Sequence, residues 1–382
     1  MTADLPLPAP ASTAPRDNPI RVMLVDDSAV IRSLIFQILA TDPGITVSAS
    51  AANGQTAIQL FRKTDIQVIV LDIEMPVMDG LSAIPKLLEI DPDVKIIIAS
   101  TLTLRNAEIS LKALELGAAD YIPKPTTPRD ISAEGDFKRE LLAKVRSHGT
   151  RPRVHPRAVP TADHRLPVPQ PVVAHAAPRK IVLRRPGLLR PQVIAIGSST
   201  GGPQALFTLL RALPASLSVP IVITQHMPPT FTAVLAQHVE RICGRPCQEA
   251  ADGIVLSAGS IYIAPGDNHL LIEGTATKLI AHLSRAPAEN YCRPSVDPMM
   301  RSLTEALGGR VLGIILTGMG SDGLAGSRKL VEAGGTLLAQ DEATSVVWGM
   351  PGAVAAAGLC TAVLPLPELA PYVVQLFEKS VS

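Results

Sequence analysis

Short apolar runs alternate with amphipathic segments through the first half of the chain. In residues 20–146 five apolar runs predict strands, at 22–25, 47–51, 68–71, 95–99 and 120–122. A helical period follows each run, beginning near Ala29, Gln55, Leu81, Ala107 and Phe137. Continuous apolar strands separated by helices predict a parallel sheet with helices on both faces, which is a doubly wound α/β domain.

The second half repeats the same alternation. Runs at 193–196, 221–224, 311–316 and 336–339 predict further buried parallel strands. Between them, residues 253–284 are rich in glycine and β-branched residues, and we expect antiparallel hairpins inserted into the fold there. Residues 193–382 are therefore predicted to form a second doubly wound α/β domain.

The segment between the two predicted domains has a different composition. Residues 147–192 hold nine prolines and nine Lys or Arg against one acidic residue, Asp163, for a net charge of +8. Proline fixes an extended backbone, so this segment is predicted to be a solvated linker. Residues 1–19 are rich in Pro, Ala and Thr without a continuous apolar stretch, which predicts a disordered tail rather than a signal peptide.

Charge and composition exclude several classes of function. The net charge is +1 and aromatic residues make up 3%, so neither nucleic acid nor an anionic membrane is an expected partner. Apolar runs stay well short of the roughly 20 residues of a membrane-spanning helix. The spacing of the four cysteines favours neither a zinc site nor a disulfide framework. We therefore expect free thiols, which are typical of a reducing cytoplasm.

Acidic and polar residues follow the strands predicted for residues 20–146. At the carboxyl ends of these strands stand Asp26, Asp27, Asp72, Ser100, Thr101 and Lys124. Ligands bind at this edge of a doubly wound sheet. Three carboxylates brought together repel one another, and Mg²⁺ relieves that repulsion while bridging to phosphate oxygens. Helix capping would explain Asp27 but not the whole set, so a phosphorylated carboxylate is predicted here.

These residues resemble the response-regulator receiver domain, a flavodoxin-like fold. The similarity includes Asp26-Asp27, Asp72, Met75-Pro76, Asp79-Gly80, Ser100, Tyr121 and Lys124-Pro125. It implies that Asp72 is the phosphoacceptor, and that Asp26, Asp27, Asp72 and the backbone carbonyl of Glu74 hold Mg²⁺. It also implies that Ser100 contacts the phosphoryl group, that Lys124 pairs with it, and that Tyr121 is the switch aromatic.

A glycine-flanked serine follows the strand predicted at 193–196. Residues 197–202 read Gly-Ser-Ser-Thr-Gly-Gly, and the G-x-S-x-G spacing places Ser199 at the centre of a strand-to-helix turn. Amides at the start of the following helix would point toward a developing negative charge. Such turns also bind phosphates, but a nucleotide site ranks last because a G-x-G-x-x-G run and a suitably placed acidic residue are missing.

Two further strand ends reach the same predicted edge. His226 follows the strand at 221–224, and Asp322 lies in a glycine-rich loop after the strand at 311–316. A serine nucleophile needs a base oriented by a third group, so Ser199, His226 and Asp322 form a candidate triad. Taken singly, His226 could be a buried structural histidine and Asp322 a helix N-cap.

Together these motifs resemble the CheB family of chemotaxis methylesterases, in which a receiver is joined to a Rossmann-like catalytic domain. The matching segments are 197–202, 225–227, 263–266, 293–297, 317–323 and 349–351. The resemblance implies that Ser199 is the nucleophile, His226 the base and Asp322 the orienting carboxylate. Thr200 and the backbone of Met319 are implied oxyanion and positioning groups.

The resemblance implies a phosphorylation-activated enzyme that removes methyl groups from receptor glutamates and releases methanol, with glutamine deamidation as a second activity. Its implied partners are chemotaxis receptors and a histidine kinase, and its esterase reaction needs no cofactor. Pro298 and Gly352 depart from the family pattern and bear on substrate recognition. A non-catalytic scaffold, with the receiver as a phosphate sink, is the alternative from another class of function.

Overall fold

The fold is described from a computed structural model that covers residues 19–101, 103–124, 136–150 and 181–379. The predicted tail, except for Pro19, and residues 151–180 of the predicted linker lie outside these ranges. Two parallel sheets with helices on both faces form most of the described chain, and a two-stranded antiparallel sheet is added to the second half. The prediction of two doubly wound α/β domains is therefore confirmed.

The first sheet has the strand order β2-β1-β3-β4-β5, with every neighbouring pair parallel. Its elements are β1 (Ile20–Val25), α1 (Ala29–Ala40), β2 (Ile45–Ala51), α2 (Gly54–Phe61), β3 (Val68–Asp72), α3 (Gly80–Ile90), β4 (Lys95–Ser100), α4 (Leu104–Glu115), β5 (Asp120–Pro123) and α5 (Asp136–Gly149). The order reverses between β1 and β3, where the carboxyl ends open a crevice. Helix α5 ends at Gly149, inside the segment predicted as linker.

Side-chain caps fix where the first four helices begin. The residues before them are Ser28, Asn53, Asp79 and Thr103, and each accepts a hydrogen bond from the backbone N–H three residues on. The start of α3 packs closely on β3, because a Cβ at Gly80 would lie 2.3 Å from the carbonyl oxygen of Asp72. A larger residue at position 80 would therefore displace the strand end that carries Asp72.

The second sheet has the order β14-β13-β12-β6-β7-β9-β8. Its half of the chain comprises β6 (Val193–Ser198), α6 (Gly202–Ala212), β7 (Ile221–Gln225), α7 (Pro229–Cys243), β8 (Cys247–Glu249), β9 (Ile261–Ile263), β10 (His269–Thr275), β11 (Lys278–Ser284), α8 (Val296–Leu307), β12 (Val311–Ile315), α9 (Leu324–Glu332), β13 (Thr336–Gln340), α10 (Met350–Ala356), β14 (Ala362–Leu364) and α11 (Leu366–Lys379). Central strands β6, β7, β12 and β13 are buried throughout, which explains their continuous apolar sequence.

The hairpin prediction for residues 253–284 is only partly right. Strands β10 and β11 pair antiparallel, but β9, within the same segment, pairs parallel with β7 and β8. Strands β8, β9 and β14 have three residues each, too few for an alternating or continuous pattern to be read from sequence. No helix among the described residues has the length and apolar character needed to cross a membrane.

Candidate active site and receiver pocket

Three carboxylates meet where β1 and β3 end. Asp26 and Asp72 are buried, Asp27 is exposed, and one oxygen from each lies within 4.8 Å of the others. The ammonium group of Lys124, just after β5, lies 2.7 Å from Asp26 and 2.8 Å from Asp72. The structure therefore brings together four of the predicted receiver residues, with hard oxygen ligands of the kind that Mg²⁺ prefers.

Burial and charge set the protonation of this pocket. Burial raises the pKa of Asp72, and the nearby Asp26 adds to the rise, while hydrogen bonding and attraction to Lys124 oppose it. Burial lowers the pKa of Lys124, but its contacts with Asp26 and Asp72 outweigh burial and raise it. Lys124 is therefore a stable cation whose charge offsets the two buried carboxylates.

The other predicted receiver residues lie around this pocket. Ser100 is buried at the end of β4, with its hydroxyl 3.5 Å from the carbonyl oxygen of Thr101. Glu74 follows β3, and its exposed carboxylate lies 3.9 Å from Arg105. Tyr121 is buried in β5, where burial raises the pKa of its hydroxyl and keeps it protonated. Pro125 lies outside the described residues.

The turn after β6 exposes one of two adjacent serines. Ser198 is fully buried and its hydroxyl donates to the side-chain oxygen of Gln225 at 2.6 Å, whereas Ser199 is partly exposed. Gly201, the N-cap residue before helix α6, has φ +74°, in the left-handed region that favours glycine. A Cβ at Gly202 would lie 2.0 Å from the Gln225 side chain. These glycines therefore allow the tight turn that presents Ser199.

His226 and Asp322 meet at the same edge of the sheet. Ser198 and Gln225 are paired in the β6–β7 ladder, so the next residues, Ser199 and His226, follow on adjacent strands. Nε2 of His226 lies 2.7 Å from Oδ2 of Asp322. The loop after β12 carries Asp322 into this position, as its sequence predicted.

Asp322 is buried and accepts hydrogen bonds from all sides. Besides His226, its carboxylate accepts from the Ser295 hydroxyl, the Asn290 amide and the backbone N–H groups of Val296, Asp297 and Gly323. Burial raises the pKa of Asp322, but His226 and these donors outweigh it and lower the pKa to about 2. The carboxylate is therefore ionised at neutral pH. Gly323, not Asp322, precedes helix α9, so the N-cap alternative is wrong.

The described structure shows no hydrogen bond between the side chains of Ser199 and His226. Instead, Nδ1 of His226 lies 3.3 Å from the sulfur of Cys292. Sequence reasoning missed Cys292 and Asn290 as site residues, because neither stands at a strand end. Ser295 and Gln225 fall in the matching motifs, which signalled their importance but not their contacts.

The predicted oxyanion groups are Thr200, which follows Ser199, and Met319 in the loop after β12. Thr200 is buried, and its carbonyl accepts from the Thr317 hydroxyl at 2.9 Å, while Met319 lies two residues further along that loop. The backbone N–H groups of Thr200 and Met319 have no acceptor among the described residues.

The two departures from the family pattern have structural explanations. Pro298 lies in the first turn of α8, where its missing N–H removes no intrahelical hydrogen bond. A Cβ at Gly352 would lie 3.0 Å from the ring of Trp348, so glycine lets that ring pack against α10. Both positions are therefore compatible with the fold around the site.

The two halves of the chain contact each other beside these sites. Helix α4 packs against α7, and the ring of Tyr121 stacks on Phe231 with centroids 4.7 Å apart. The side chain of Glu115 lies 2.9 Å from Nε2 of His238. Phe231 lies five residues after His226, so the receiver residue predicted as a switch touches the segment that follows the predicted base.

A carboxylate pocket on one doubly wound sheet and a Ser, His and Asp set on another define the class: a response regulator with a receiver domain and a hydrolase domain. The chain belongs to the CheB methylesterase family. The family model of the CheB methylesterase matches residues 194–373, and that of the response regulator receiver domain matches residues 22–134. The chain is thus a carboxylic ester hydrolase with a receiver domain.

Curated relatives match almost the whole chain. A protein-glutamate methylesterase/protein-glutamine glutaminase of Paramagnetospirillum magneticum is 53% identical, covering 96% of this chain and 98% of its own. One from Azospirillum brasilense is 54% identical, covering 96% of each. The crystal structure of the Thermotoga maritima CheB methylesterase catalytic domain is 38% identical with a TM-score of 0.48, covering 49% of this chain and 100% of its own.

Proposed function

We propose that this enzyme hydrolyses γ-methyl esters of glutamate in chemotaxis receptors and releases methanol. The observation that carries the proposal is the His226–Asp322 pair at 2.7 Å, at the strand end next to the partly exposed Ser199. The relatives named as protein-glutamate methylesterases support the substrate class.

In the proposed reaction, the Ser199 oxygen attacks the ester carbonyl while a ring nitrogen of His226 takes the hydroxyl proton. The free amides of Thr200 and Met319 would stabilise the oxyanion that develops. His226 then returns the proton to the departing methoxide, which leaves as methanol. Water resolves the acyl-enzyme by the same steps, and the ionised Asp322 orients the ring and stabilises its cation.

The same site supports a second reaction on glutamine side chains. Attack of Ser199 on an amide carbonyl produces the same acyl-enzyme, with ammonia as the leaving group in place of methanol. The glutaminase in the relatives' names favours this activity. Incubation with a receptor fragment carrying either methylated glutamate or glutamine, followed by methanol and ammonia assays, tests both reactions.

A scaffold that only binds receptors would release neither product. Substitution of Ser199 would then leave the signalling output of the pathway unchanged, whereas substitution of Asp72 would change it. The free Thr200 and Met319 amides and the ionised Asp322 beside His226 favour the enzyme, because a scaffold has no use for them.

We also propose that the receiver controls this activity. Asp72 would accept a phosphoryl group from a chemotaxis histidine kinase, with Mg²⁺ held by Asp26, Asp27, Asp72 and the backbone carbonyl of Glu74. The ion, when bound, would neutralise charge on the phosphoryl oxygens. Lys124 would pair with the phosphoryl group, and Ser100 would contact it.

Phosphorylation would act on the contact between the two halves of the chain. It adds about 1.5 to 2 negative charges to Asp72, in a pocket where Lys124 already binds two carboxylates. A shift of Ser100 and Tyr121 would then reach Phe231, on which Tyr121 stacks. The C-terminal end of α5, the following Thr150 and the 342–348 loop line one cavity of about 700 Å³. In this proposal the docked receiver restricts access to Ser199 until phosphorylation weakens the contact.

A Phe231→Leu variant tests this contact. Leucine keeps an apolar side chain but removes the ring stack with Tyr121, which is worth about 0.5–1.5 kcal/mol. We expect the rate of the unphosphorylated enzyme to rise about two- to tenfold, with little change in the phosphorylated rate. Phe377→Leu, a buried phenylalanine on α11, is the matched control. Equal rates for Phe231→Leu and wild type without phosphodonor would contradict the docking proposal.

A further inference from the structure

Cys292 is held in a tight turn beside the proposed base. Glu289 and Cys292 pair antiparallel across this turn, and the two residues between them, Asn290 and Tyr291, have φ of +53° and +62°. Two consecutive positive φ values are typical of a type I′ turn, and they are unfavourable for tyrosine. The Asn290 amide donates to Asp322 at 2.9 Å. The turn is therefore anchored to the site, and it fixes where the Cys292 thiol points.

Both ring nitrogens of His226 are engaged. Nε2 lies 2.7 Å from Asp322, and Nδ1 lies 3.3 Å from the sulfur of Cys292. An imidazole nitrogen makes one hydrogen bond in the plane of its ring. With Nε2 directed at Asp322, Nδ1 is the nitrogen left to accept the proton of Ser199. Ser199 and Cys292 therefore compete for one position.

We propose that Cys292 is a positioning residue that occupies Nδ1 of His226 and restrains this base until Ser199 replaces the thiol. The inference rests on the proposed role of His226 as the base. It gives the enzyme a resting arrangement in which the nucleophile is not activated. Substrate binding, or release of the receiver, would have to move the ring or the turn before reaction.

Electrostatics supports this arrangement. Burial lowers the pKa of His226, but Asp322 and Cys292 outweigh burial and raise it to about 10. Among the described residues, the titratable groups that act on the ring are Asp322, from the loop before α9, and Cys292, from the turn. Asp297, at the start of α8, faces Asp322 from the other side. A protonated ring cannot accept the serine proton, so a group that raises the pKa of His226 lowers the fraction of active base. Removing Cys292 should lower that pKa.

The test uses the full chain with Cys292→Ala and Cys292→Ser, and with Cys243→Ala as the matched control on α7. The pH dependence of kcat/KM for methanol release is measured together with the titration of His226 by NMR. We expect Cys292→Ala to move two curves to lower pH: the acidic limb of the kcat/KM profile and the NMR titration curve of His226. At a pH below the limb, kcat/KM should rise about tenfold for each pH unit by which the limb moves. Cys292→Ser keeps an atom that can accept a hydrogen bond from the Nδ1–H of the protonated ring, so it should fall between wild type and Cys292→Ala.

A His226 titration and an acidic limb that stay at the wild-type pH in Cys292→Ala would overturn the proposal, whatever the change in kcat. If Cys292→Ala does not fold, the titration of Cys292→Ser decides in the same way. Absence of methanol release from the wild type would refute the proposed function instead, while the NMR titration would still test the contact between Cys292 and His226.

Discussion

Ser199→Ala should lower methanol release from a methylated receptor fragment by about 10⁴-fold or more, while the protein stays folded. The substitution removes the only atom proposed to form the acyl-enzyme, and Ser199 is partly exposed, so little packing is lost. Circular dichroism and thermal unfolding would verify the fold beside the methanol assay.

Ser198→Ala is the matched control for this prediction. Its hydroxyl is buried and donates to Gln225, so its loss should reduce stability by about 1–3 kcal/mol. Its effect on the rate should be far smaller than that of Ser199→Ala. The reverse ranking of the two variants would identify Ser198 as the nucleophile and contradict the assignment.

Asp322→Asn should have the second large effect, also about 10⁴-fold in rate. The carboxylate accepts through both oxygens: Oδ1 binds Ser295, Asn290 and two backbone N–H groups, while Oδ2 binds Val296 and His226. An asparagine side chain has one oxygen and one NH₂ group. The NH₂ group would replace one of the two carboxylate oxygens and would face the hydrogen-bond donors that this oxygen now binds. With the oxygen at the Oδ1 position, the amide would face His226 and disfavour the ring tautomer that the reaction needs.

Steady-state kinetics of methanol release would measure this loss, with Asp297→Asn as the control. Asp297 is a neighbouring buried carboxylate that binds Asn290 and the backbone of Gly326. Its substitution removes a charge that repels Asp322 and one oxygen acceptor of this network, but it should reduce the rate much less than Asp322→Asn does. Equal losses in the two variants would show that general disruption of the region, not the His226–Asp322 contact, explains the effect.

Strand periodicity predicted much of this site, because parallel strands end at one edge of a sheet. Asp26, Asp72 and Lys124 meet within hydrogen-bonding distance for that reason, and so do His226 and Asp322. The turn at Asn290 and Tyr291 was not predictable. Its positive φ values arise from tertiary contacts, and neither residue is a glycine that would signal such a turn.

The contact between the two halves of the chain also left no signal in the sequence. Tyr121 and Phe231 are buried aromatic residues of separate domains, and the sequence of each is explained by the core of its own sheet. Their stacking, together with the packing of α4 against α7, shows that the two cores meet. Sequence reasoning predicted Ser199, His226 and Asp322 as a set, but it could not show that Nδ1 of His226 faces Cys292 instead of Ser199.

Methanol release by the full chain, with and without acetyl phosphate and Mg²⁺, tests the central claim of a phosphorylation-controlled serine esterase most directly. Wild type and Asp72→Ala are compared on one methylated receptor fragment. We expect a faster rate with phosphodonor in wild type and an unresponsive basal rate in Asp72→Ala. A wild-type rate that ignores the phosphodonor, or an Asp72→Ala variant that responds like wild type, would contradict this claim.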